Sequence, residues 1–125
     1  MLQKHLLVSD RVRRPPEEGF SWLDRRFLRE FASRLSGDAV FLYFFLAAVS
    51  DRQGLSFYRD STLAVRLRMR EEAVVAAREE LLTHDQIAFQ APLTQVLSLP
   101  PSRLQRRGLH ALEALLRVVD QAEGR

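Results

Sequence analysis

Along residues 21–35, SWLDRRFLREFASRL, the apolar positions Leu23, Phe27, Phe31 and Leu35 recur every four residues, with Leu28 beside them. That spacing predicts an amphipathic helix showing Arg25, Arg26, Arg29 and Arg34 on its other face. Ser21 is its expected N-cap, with Asp24 three residues on as a capping-box partner. Residues 36–54, SGDAVFLYFFLAAVSDRQG, then turn apolar on nearly every side. A helix capped by Ser36 or Asp38, ended by the 51–54 segment and apolar all round is a core helix. Phe41, Tyr43, Phe44 and Phe45 should supply much of its buried area, and Tyr43 needs a partner for its hydroxyl if buried.

The period then shortens. GLSFY (residues 54–58) is a short strand candidate, and a cap at Asp60 or Ser61 opens about two helical turns, STLAVRL. RMR (residues 68–70) turns the chain into EEAVVAAREELL, whose inward positions are Val74, Ala77, Leu81 and Leu82. QIAFQ (86–90) and QVLSL (95–99) are strand-like pieces joined by APLT, where the proline suits a turn and no central ladder position. After Pro100-Pro101, Ser102 caps a last helix reaching about Gln121. Leu109, Leu112, Leu116 and Val119 line one stripe of it, Leu115 and Val118 widen that stripe, and Gly108 weakens its first turns by about 1 kcal/mol relative to alanine.

The expected architecture is mainly α with a small β-hairpin, an α+β domain. Residues 1–20, with Pro15, Pro16 and Gly19 and no periodicity, form a basic arm. Residues 21–100 make the domain, and 101–125 the C-terminal amphipathic helix. The order of elements, with the segment LAVRLRMREEAVVAAREELLTHDQIAF, resembles the winged helix-turn-helix family over about residues 36–99. In that resemblance Leu63, Ala64 and Leu67 face the second helix, Met69 plugs the turn, Val74 and Leu81 anchor the second helix, and Ile87 starts the wing. Asp85 stands where the family usually has glycine. Residues 21–100 also look like small helix-turn-helix proteins of bacterial mobile elements and, more loosely, N-terminal domains of replication initiators. The resemblance implies a regulator of transcription or an accessory to replication or transposition, carrying an extra N-terminal and an extra C-terminal helix.

Charge changes this picture. The 125 residues carry a net +3, and 18 of the 19 basic residues are arginine, which suits bidentate phosphate and base contacts. GC-rich coding is the plainer source of that excess. Residues 70–100 hold two basic against five acidic side chains, between basic ends. With Val74, Ala77 and Leu81 inward, the second helix turns Glu71, Glu72, Val75, Arg78 and Glu79 outward, and carboxylates repel phosphate. A recognition helix enters the major groove by its N-terminal end. Double-stranded DNA would therefore meet Arg66, Arg68, Arg70 and Arg78, with Arg59 on a phosphate and Arg11, Arg13 and Arg14 of the arm in a minor groove. The alternatives are a solvated arginine face paired with Glu71 and Glu72, and a protein-interaction module. In the latter the acidic helix, residues 71–82, docks a partner through Val75 and Ala76.

The last helix offers two uses. Leu109, Leu112, Leu116 and Val119 pair with a second copy in a homodimer, or pack back on Phe27, Phe31 and the core helix.

Other chemistry is absent from the sequence. Cysteine is missing, which excludes disulfides, thiolate metal sites and a cysteine nucleophile. His5, His84 and His110 lack metal-ligand spacing, five glycines form no phosphate loop, and no serine sits in a nucleophile elbow. No cofactor and no enzymatic activity are expected. The longest apolar run, residues 39–49, is too short for a bilayer, which needs about 20 residues. With no secretory pattern at the N-terminus, a cytoplasmic protein without membrane contact is expected.

Overall fold

The core forms around one apolar helix. The computed structural model describes residues 3–101 and 103–123, with the side chains of residues 110–119 in the last helix. Helix α1, Gly37–Val49, is capped by Ser36, whose hydroxyl accepts from the Ala39 N–H at 3.2 Å. Strand β1, Leu55–Phe57, leads to α2, Asp60–Leu67, and α3, Glu71–Thr83. Strands β2, Ile87–Gln90, and β3, Leu93–Val96, form a hairpin, and α4, Arg103–Glu123, ends the chain.

The sheet is three-stranded and antiparallel in the order β1-β3-β2. Ser56 pairs with Thr94, which pairs on its other side with Phe89. The domain is thus mainly helical with a small antiparallel sheet. Ala39, Leu42, Tyr43 and Leu46 of α1 meet Leu63 and Leu67 of α2, Val74, Ala77 and Leu81 of α3, and Ile87 of β2 in one buried cluster. The inward stripe expected of α3 is found: Val74, Ala77 and Leu81 are all 1% exposed or less. Among the described residues no helix is long and apolar enough to cross a membrane.

Three elements differ from expectation. The first helix is one π turn, Phe27–Phe31, running into a 3-10 turn, Ala32–Arg34. Its N-terminal brace is Asp24, whose carboxylate accepts from the Arg26 N–H at 2.9 Å, while the Ser21 hydroxyl donates to the Ala48 carbonyl. A repeat of four residues exceeds the 3.6 of an α-helix, and the wider π turn keeps Phe27 and Phe31 on one side. Phe27 stacks on Tyr43 with centroids 3.9 Å apart, whereas Leu23 and Leu28 stay exposed.

The hairpin is also tighter than expected. Gln90 pairs with Leu93 across the two residues Ala91-Pro92, so β3 begins two residues before the expected QVLSL strand. Finally, neither Asp60 nor Ser61 caps α2: its N-cap is Arg59, without a side-chain bond, and Asp60 is the first helical residue. The expected cap Ser102 lies outside the described residues.

Candidate nucleic-acid interface

The turn between α2 and α3 is built from backbone bonds. The Met69 N–H donates to the Ala64 carbonyl at 3.0 Å, and Arg68 is left-handed with φ 56 and ψ 43. This is a Schellman ending, with a left-handed residue at C′ and an apolar residue after it. Met69 fills the hydrophobic position, packing on the core as expected. Glycine normally takes the left-handed place; an arginine there is strained by about 1 kcal/mol.

Arg66, Arg68 and Arg70 are all exposed around this turn, as is Arg59 before α2. None of the four makes an ion pair among the described residues. The expected alternative, arginines neutralised by Glu71 and Glu72, is not what the side chains do. Those two glutamates occupy the first turn of α3, whose N-cap Arg70 makes no side-chain bond. There they offset the positive end of the helix dipole.

Arg78 overturns the expectation made for it. It is 6% exposed, paired with Asp60 Oδ1, and its guanidinium lies 4.1 Å from the centre of the Phe89 ring. A cation held this way is unavailable to DNA. Its position is the physical reason: residues 74, 77, 78 and 81 lie on one helical stripe, and Asp60 waits at the start of α2. No local pattern marked Asp60 as that partner, because the two residues are 18 apart.

Glu80 is engaged too. Its carboxylate accepts from the Ser36 N–H at 2.9 Å and from the Ser36 hydroxyl, tying α3 to the start of α1. These bonds hold its carboxyl below the usual range. Of the four glutamates on α3, only Glu79 is exposed away from both the helix start and α1.

Among the described residues no hydrogen bond or ion pair joins the arm to the turn. Arg11, Arg13 and Arg14 are exposed, beside a single 3-10 turn at Ser9–Arg11. The arm continues into a strap, residues 18–24, that lines a cleft of about 810 Å³ with Tyr43, the 50–54 turn and residues 95–99, none of them in α2 or α3. In this cleft burial, with the Asp24 carboxylate, pushes the Tyr43 phenol up. The hairpin brings no cation either: residues 85–101 contain no lysine, arginine or histidine.

The stripe on α4 does not pack back on the domain. Leu112, Leu116 and Val119 are 53%, 54% and 44% exposed, and Leu109 lies outside the described side chains. The segment before α4 is held instead by Arg26, which donates to the Pro100 carbonyl and to Glu30. No protein-family model, curated protein or solved structure matches the chain.

Proposed function

We propose that this chain is a winged-helix protein that binds double-stranded DNA through Arg66, Arg68 and Arg70, with Arg59 on a flanking phosphate. The topology supports the winged helix: a core helix, a strand, two helices joined by a three-residue turn, and a hairpin whose second strand pairs with the first. One observation carries the DNA reading. Three exposed arginines, none of them ion-paired among the described residues, sit at the end of α2 and on the turn that follows it, and the middle one occupies a backbone conformation that glycine would take without strain. A strained residue at an exposed cationic bend points to a role outside folding.

The uncharged hairpin leaves phosphate contact to the turn and to the arm, where the exposed Arg11, Arg13 and Arg14 serve as a second set of cations. Anisotropy titration on random duplex tests this. Affinity should fall steeply between about 50 and 200 mM salt, with log K slope close to −0.9 per phosphate contact. An Arg68→Glu/Arg70→Glu variant should lower the slope and weaken binding at least tenfold. Absence of binding at low salt, or an unchanged variant, sinks the proposal and leaves the exposed Val75 and Ala76 of α3 as a protein-docking surface.

A further inference from the structure

We propose that α4 pairs with α4 of a second copy of this chain, and that the two helices run antiparallel. The helix has 21 residues, a length of about 31 Å at 1.5 Å per residue. Leu112, Leu115, Leu116 and Val119 stand at i, i+3, i+4 and i+7 and are 44–64% exposed, with Val118 beside them at 66%. A contiguous leucine and valine stripe of this kind is rare on a monomer's surface. A lone helix gains most of its stability by packing such a face.

The charge layout selects the occupant. The first five residues of α4 include Arg103, Arg106 and Arg107, and its last four include Asp120 and Glu123. Its first turn has no acidic residue and its last turn no basic one. That is the reverse of what the helix dipole favours, since cations belong at the C-terminal end and anions at the N-terminal end. A parallel pair would set like ends side by side and align the two dipoles. An antiparallel pair lays each arginine end along the partner's acidic, dipole-negative end, so the helix is its own complement.

The axis of such a pair falls near Leu115, the middle of the stripe, with Leu112 facing Val119 of the other copy. The two helix starts then lie about 36 Å apart, 24 residues at 1.5 Å each. A parallel pair would bring them within about 10 Å. The spacing equals about one turn of B-DNA, 34–36 Å, the interval between half-sites read by a symmetric dimer. Pairing itself is independent of DNA binding; only this last correspondence rests on it.

The chain has no cysteine, so single cysteines in the full-length protein report the polarity. Light scattering should give twice the 14.4 kDa chain mass, falling to one chain in Leu112→Glu/Leu116→Glu with an unchanged circular dichroism signature for the domain. Under oxidation, Leu115→Cys should cross-link to itself. Leu112→Cys mixed with Val119→Cys should cross-link, and each of these alone should not. A parent protein of single-chain mass at all concentrations overturns the proposal. So does efficient self-cross-linking of Leu112→Cys and Val119→Cys, which would make the pair parallel. Loss of duplex binding with the dimer intact would instead count against the DNA reading alone.

Discussion

The guanidinium of Arg78 on α3 is paired with Asp60 at the first residue of α2 while it covers the face of Phe89 on β2. One cation thus joins both helices of the pair and the hairpin. The two partners are unequally buried, with side-chain exposures of 7% for Arg78 and 37% for Asp60. Removing the carboxylate strands a buried charge; removing the cation leaves an anion that water can reach. Asp60→Ala should therefore cost about 3 kcal/mol. Arg78→Met, which keeps the stem against Phe89, should cost about 1 kcal/mol. Urea unfolding of both variants checks the order, and equal costs would mean the pair is solvated. Arg78→Met should also leave duplex affinity within about twofold, because its charge faces inward.

Arg68 carries the opposite trade. Its left-handed backbone would suit glycine, so Arg68→Gly should relieve up to about 1 kcal/mol of strain and raise the melting temperature by a few degrees. On the proposed function the same change removes a central phosphate contact and weakens duplex binding severalfold. A variant both more stable and weaker in binding would show that the strain is kept for recognition. A variant that melts earlier would mean the arginine stem packs on the turn strongly enough to outweigh its backbone cost.

The regular parts of this fold were legible because burial imposes a period. Val74, Ala77 and Leu81 face inward as their spacing requires, Ser36 caps α1, and Leu55–Phe57 is a strand. The turn arginines were legible for the complementary reason, since Leu63, Leu67 and Met69 use up the inward positions. What escaped depends on partners far along the chain. Arg78 sat on the inward stripe, but a charge argues for water until Asp60 is seen beside it. Glu80 has no local feature that marks its contact, because its partner Ser36 is 44 residues away. The first helix escaped because a spacing of four fits a π turn as well as an α-helix, and its start is decided by which of Ser21 and Asp24 finds a donor.

The Glu80–Ser36 contact predicts a pH dependence. Hydrogen bonds from the Ser36 hydroxyl, then from its N–H, favour the charged carboxylate and lower its pKa below the ordinary 4.5. A folded value below the unfolded one means stability that is fully present above pH 4.5 and lost as pH falls through it toward the folded value. Glu80→Gln should cost about 1 kcal/mol at pH 7, a modest figure for a pair open to solvent. The gap between parent and variant should narrow steadily below pH 4.5. Denaturant midpoints measured at pH 7, 5 and 3.5 check this, and a gap constant with pH would assign the effect to packing instead of charge.

Gly54 sets the join between the start of β1 and the end of β3. Its φ is +85, and a Cβ there would stand 2.5 Å from the Val96 carbonyl oxygen. The same two residues are bonded, with the Val96 N–H donating to the Gly54 carbonyl at 2.8 Å. Asp51 braces the turn by accepting from the Gln53 and Leu55 N–H groups, each at 2.9 Å. Neither strain nor clash can be relieved by a side-chain rotation, because both involve backbone. Gly54→Ala should therefore cost about 2–3 kcal/mol. Gly37→Ala is the control: it meets nothing within 4 Å at the start of α1 and should leave stability within about 0.5 kcal/mol of the parent or raise it. Thermal and urea unfolding of the two variants together decide whether the β1–β3 edge is pinned by this one glycine. If Gly54→Ala unfolds like the parent, the turn relaxes freely and the register of β1 on β3 is held by the strand pairing alone.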